Sequence, residues 1–98
     1  MEPEFEAELL AFALDGGTVR HLAAVAAERW GLPADDVLRA VRAALDRGEL
    51  RLSLDDGAGT SREVSARELT AALLAEQPYV WLAPTSRTFE RLAVLGRT

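Results

Sequence analysis

TVRHLAAVAAERWGLPADDVLRAVRAALDRGELRLSL, residues 18–54, reads as two short amphipathic helices, a tight turn and a strand. Thr18 is a strong candidate N-cap, because its hydroxyl can accept a hydrogen bond from an otherwise orphaned amide of the first turn. Val19, Leu22, Val25 and Ala26 then recur at helical spacing up to Trp30. Gly31 can end this helix in the left-handed conformation, and Pro33, with its φ already near the helical value, can open the next. From Pro33 to Arg47 the apolar positions Ala34, Val37, Leu38, Val41, Ala44 and Leu45 define a second inward face. Gly48 stops that helix. Leu50, Leu52 and Leu54 alternate with polar residues, as in a half-buried strand over Glu49–Leu54.

Working outward, Phe5, Leu9 and Phe12, widened by Leu10, Ala13 and Leu14, predict a helix over residues 4–14, ended by Asp15-Gly16-Gly17. After the strand, Asp55-Asp56-Gly57-Ala58-Gly59 predicts a turn. Ser65-Ala66-Arg67-Glu68 has the S-x-x-E form of a capping box and precedes Leu69, Ala72 and Leu73. It predicts a fourth helix running to Glu76 and stopped by Pro78. Tyr79–Ala83 is the best remaining strand. Pro84-Thr85-Ser86 opens a last helix, with Phe89, Leu92, Val94 and Leu95 as its apolar residues.

This order of elements resembles the winged helix-turn-helix superfamily. YVWLAPTSRTFERL, residues 79–92, is similar to the second wing strand and closing helix of MarR- or PadR-like regulators. The resemblance covers most of the chain and implies an α+β, winged-helix-like fold in a single domain, residues 1–98. It has three N-terminal helices, a two-stranded antiparallel wing (Leu50–Leu54 and Tyr79–Leu82), a helix inserted between the wing strands and a C-terminal helix. The insertion departs from the pattern, in which the wing is a short hairpin whose tip touches DNA.

Length and composition fit one modest core: 98 residues, 49% of them hydrophobic. No apolar run approaches the ~20 residues of a membrane span. MEPEFEAELL lacks the basic start of a secretory signal, and a cytoplasmic location is expected. There is no cysteine, hence no disulfide, thiol nucleophile or Cys-based zinc site. All 11 basic residues are arginine, while lysine, isoleucine and asparagine are absent. A GC-rich bacterial genome explains that skew without any selection for arginine chemistry. The net charge of −5 resides in residues 1–17, where Glu2, Glu4, Glu6, Glu8 and Asp15 meet no basic residue. Such a cluster favours a helix dipole, and it could also form an acidic surface for a basic partner.

Three groups of residues could carry function. The solvent side of the third helix holds Asp35, Asp36, Arg39, Arg42, Ala43 and Asp46. A helix-turn-helix reader would place the start of that helix in the major groove, where two aspartates oppose phosphates. The same residues can pair within the helix, Asp35 with Arg39 and Arg42 with Asp46. DNA contact through Arg39, Arg42 and Arg47 is the alternative. On the strands, alternation places Arg51 with Tyr79 and Trp81 on the face opposite Val80 and Leu82. Arginine beside aromatics is a hot-spot composition, with a cation–π contact within reach; cover by a neighbouring helix is the competing reading. His21, the only histidine, has no second ligand for a metal, and no nucleophile-elbow motif accompanies it. The Glu4–Glu8 pair gives no sign of the burial that general acid–base chemistry needs. Gly16-Gly17 and Gly57-Ala58-Gly59 match no phosphate loop.

The expected function is therefore non-enzymatic, with no catalytic residue, cofactor or metal. A macromolecular binding module is expected, with a protein partner or a second copy of the chain at Arg51, Tyr79 and Trp81. The alternative is a small DNA-binding transcriptional regulator.

Overall fold

The computed structural model describes residues 3–55, 59–77 and 79–96. Among them the order is α1 (Pro3–Asp15), α2 (Val19–Trp30), α3 (Ala34–Asp46), β1 (Leu50–Asp55), β2 (Ser61–Val64), α4 (Ala71–Glu76), β3 (Val80–Pro84) and α5 (Ser86–Val94). The architecture is α+β, with α4 between the strands and α5 closing the chain. No described helix is long and apolar enough to cross a membrane.

The helix boundaries follow the capping chemistry. The Thr18 hydroxyl accepts from the His21 amide, and Gly31 ends α2 in the left-handed conformation at φ 64°. Pro33 is the N-cap of α3. Thr85 caps α5 in a reciprocal box with Thr88. α1, α2 and α3 pack against one another and against one face of the sheet. Phe5, Leu9, Leu10, Leu22, Val37, Val41, Leu50, Leu52, Val80 and Leu82 fill the space between them. Each fully buried side chain of this size contributes about 1.5–3 kcal/mol. Phe5 meets Trp30 edge-on at 5.6 Å, joining α1 to the end of α2.

The sheet has the order β2-β1-β3 and is antiparallel throughout. The expected pairing of β1 with β3 is present, with Leu52 opposite Leu82 and Leu54 opposite Val80. β2, unassigned from sequence, pairs on the other side of β1, with Leu52 opposite Val64. Ser61-Arg62-Glu63 offers no apolar alternation, and only Val64 is buried. The turn expected at residues 55–59 lies mostly outside the described residues, as does Pro78.

Other expectations need correction. Ser65 and Glu68 do bond reciprocally, Glu68 accepting from the Ser65 amide and donating its own amide to the Ser65 hydroxyl. They close a turn, however, and α4 starts later, capped by the Thr70 hydroxyl. Leu69 is buried ahead of the helix, Leu73 is half-buried and Ala72 is exposed. On α3 the inward face is rotated slightly: Ala40 is buried, Leu45 half-buried and Ala34 exposed. Leu14 is exposed at the end of α1. On α5, Phe89 and Val94 face outward at 60% and 75% exposure, and Thr88 with Leu92 faces the core. Thr88 can take a buried position because its hydroxyl donates to the Glu49 carbonyl.

Candidate binding surface

Antiparallel pairing sets the outer face of the sheet. Because opposed residues share a face, the register aligns Arg51 with Ala83, Ser53 with Trp81 and Glu63, and Asp55 with Ser61. Tyr79 precedes Val80 and alternates onto the same side. Arg51, Asp55, Ser61, Glu63, Tyr79 and Trp81 are all exposed. The helices occupy the other face, and neither α4, which packs on α3, nor α5, which packs on α1, closes over this one.

Tyr79 is 60% exposed and Trp81 37%. Their rings are nearly parallel, 13° apart in orientation, with centroids separated by 6.1 Å. Val80 and Leu82, the intervening residues, are fully buried and fix the strand. The outer edge of β3 is held by the chain entering α2. Thr18 bridges to Trp81, and the Leu82 amide donates to the Gly17 carbonyl at 2.8 Å. A Cβ at Gly17 would lie 2.7 Å from the Phe12 ring, so any larger residue there would have to displace that ring.

Arg51 belongs to this face, where it forms an ion pair in place of the cation–π contact that lay within its reach. Its Nε lies 3.2 Å from Glu63 Oε1, both side chains being exposed. Glu63 went unnoticed in the sequence because β2 did. The described residues do hold a cation–π contact elsewhere: the Arg29 guanidinium sits 5.5 Å from the Trp30 ring centroid, and its Nη1 lies 3.6 Å from Glu8 Oε2.

The three arginines of the DNA alternative each have local partners. Arg39 pairs with Asp36 at 3.0 Å, one residue off the expected Asp35. Arg42 donates to the Leu69 carbonyl at 3.2 Å instead of meeting Asp46, and so fastens the segment before α4 to α3. Arg47 pairs with Glu49 at 3.0 Å and Glu6 at 3.3 Å. The hydrogen bond to Glu49 raises its pKa against the opposing effect of burial, helped by the charges of Glu49 and Glu6.

Arg47 is part of a cluster that the sequence did not announce. Glu6 of α1 accepts two hydrogen bonds from Arg91 of α5, at 3.1 and 3.2 Å. The Glu6 and Glu49 side chains retain only 17% and 10% exposure. Glu6 therefore works inside the molecule, tying the first helix to the last. Arg87 adds a bond to the Arg47 carbonyl at 2.9 Å. Such a set of paired charges is structural chemistry: each carboxylate is committed to guanidinium groups.

His21 is exposed and lies edge-on to Phe12 at 5.4 Å. Glu4 and Glu8 line a surface groove with Arg29 and Trp30. Among the described residues no group of three or more His, Asp or Glu stands together to hold a metal ion. No protein-family model matches this chain, and no curated protein or solved structure matches it.

Proposed function

We propose that this chain is a non-enzymatic binding module with a winged-helix-like plan, and that it engages a protein through the open face of its sheet. The observation that carries this reading is the stacked, solvent-facing Tyr79–Trp81 pair. Aromatic rings with one polar end are favoured anchors of protein interfaces. The partner is another protein or a second copy of the chain.

Selection from a random peptide display library tests the reading. Selected peptides should bind the wild type and lose binding to Trp81→Ala and Tyr79→Ala proteins whose circular dichroism is unchanged. Sedimentation equilibrium run alongside reports any self-association. Unaltered binding by both variants, together with unaltered sedimentation, overturns the reading.

One observation favours the DNA alternative: β2 supplies a strand directly after β1, so an antiparallel pair follows α3 as a wing does. α4 thus follows this hairpin instead of interrupting it. Against DNA stand Asp35, Asp36 and Asp46 on α3 and the engagement of Arg39, Arg42 and Arg47 by their neighbours. Fluorescence anisotropy with duplex DNA tests this alternative.

A further inference from the structure

We infer that the occupant of the open sheet face is a proline-rich segment of another protein, laid across the Tyr79 and Trp81 rings in the polyproline II conformation. This inference rests on the reading above and specifies the partner's chemistry.

Size comes first. Three strands about 4.8 Å apart and about 17–20 Å long present roughly 200–300 Å². A stable dimer or globular complex needs about 800 Å² from each partner. The face is too small to hold a second copy by itself, whereas one extended segment matches it.

Hydrogen bonding narrows the choice of segment. β1 is paired on both sides, and β3 is held along its other edge by Thr18 and Gly17. A segment lying over these strands finds no backbone group to pair with, so each N–H it buries loses water without gaining a partner. Proline carries no N–H. Polyproline II makes no internal hydrogen bonds, so its carbonyls are free to accept from a partner. The face supplies the donors. Among the described residues neither the Tyr79 hydroxyl nor the Trp81 indole N–H has a hydrogen-bond partner.

Shape agrees. The two rings lie 6.1 Å apart and 13° from parallel. Two residues of polyproline II advance about 6.2 Å, and a three-fold helix rests on two of its three edges, so residues i and i+2 meet successive rings. Proline-rich segments dock on aromatic-lined surfaces in this way. An amphipathic helix needs anchor sites for i, i+3, i+4 and i+7 in an apolar groove. Here Ser53 and the Arg51–Glu63 ion pair stand beside the rings instead. A proline-rich segment is also extended before it binds, so little ordering entropy opposes so small a contact.

The probe is nonaproline, acetylated and amidated, titrated into the full ¹⁵N-labelled chain and followed by NMR. A second peptide carries alanine at the four central positions, and a capped Gly/Ser nonapeptide is the third. Nonaproline should shift the Trp81 indole and the β1 and β3 amides, and its affinity should be indifferent to added salt. The alanine-bearing peptide should bind about tenfold more weakly, and the Gly/Ser peptide should not bind. Trp81→Ala should abolish the shifts. Trp81→Phe and Tyr79→Phe keep a ring and remove one donor; each should weaken nonaproline several-fold, and they serve should Trp81→Ala be poorly folded. Equal binding by nonaproline and the alanine-bearing peptide overturns the inference, as do shifts confined to α1 or α3, or no shift at all. Shifts of the same signals on dilution of the free chain mark a second copy as the occupant and also overturn it. Display-selected peptides that require Trp81 and Tyr79 but contain no proline overturn it too, yet leave the open-face reading standing. Selected peptides that ignore both rings remove that reading itself.

Discussion

Trp81 stands opposite Ser53 in the sheet and bridges to Thr18 through the backbone, and it remains 37% exposed. Truncation should therefore cost little. Trp81→Ala is expected to lower stability by less than ~2 kcal/mol, against about 3–5 kcal/mol for a buried tryptophan; urea denaturation measures the difference. Glu68 makes a second residue-scale case. The Arg62 guanidinium at 2.7 Å holds its carboxyl below the usual glutamate range, aided by the Ser65 amide and hydroxyl. A folded-state value below the unfolded one gives stability that is fully present above the unfolded value and lost as pH falls through the lowered one. An NMR titration of the Glu68 carboxyl should thus show an acid-shifted midpoint, and Arg62→Gln should return it toward the ordinary value.

The elements differ in how plainly the sequence announces them. α2 and α3 were legible because apolar period, cap and terminator agreed: Thr18, Gly31 and Pro33 all do what their chemistry suggests. The Tyr79–Trp81 face was legible because alternation around buried Val80 and Leu82 leaves one arrangement. β2 was hidden, since an edge strand that buries only Val64 needs no apolar pattern. The inward face of α5 was misread because polar Thr88 occupies it, its hydroxyl satisfied by a carbonyl distant in sequence. Glu6 was misread for a related reason: an acidic first turn suits the dipole whether or not arginines wait across the fold. The α1–α5 tie yields its own expectation. Glu6→Gln should cost about 1–3 kcal/mol, since Arg47 and Arg91 lose a charged partner at a largely buried position. Amide exchange should accelerate in α5 well before it does in the sheet.

At the scale of the whole molecule, the acidic imbalance read from residues 1–17 is redistributed by folding. Glu6 is drawn inside and Glu8 reaches Arg29, while Asp35 and Asp46 remain on the surface of α3. With a net charge of −5 and most arginines engaged, no appreciable affinity for duplex DNA is expected at physiological salt. Sub-micromolar binding in an anisotropy titration, with a steep negative salt slope, would instead establish the regulator alternative. The Glu6–Arg91 contact has a kinetic side as well. It joins residues 85 apart, so it closes a loop of nearly the whole chain. Contacts this remote in sequence gain nothing until the intervening structure has condensed. Glu6→Gln should accordingly speed unfolding and leave the folding rate almost unchanged in a stopped-flow chevron. The two ends of this protein then behave as a clasp: last to fasten as the chain folds, and first to open when it unfolds.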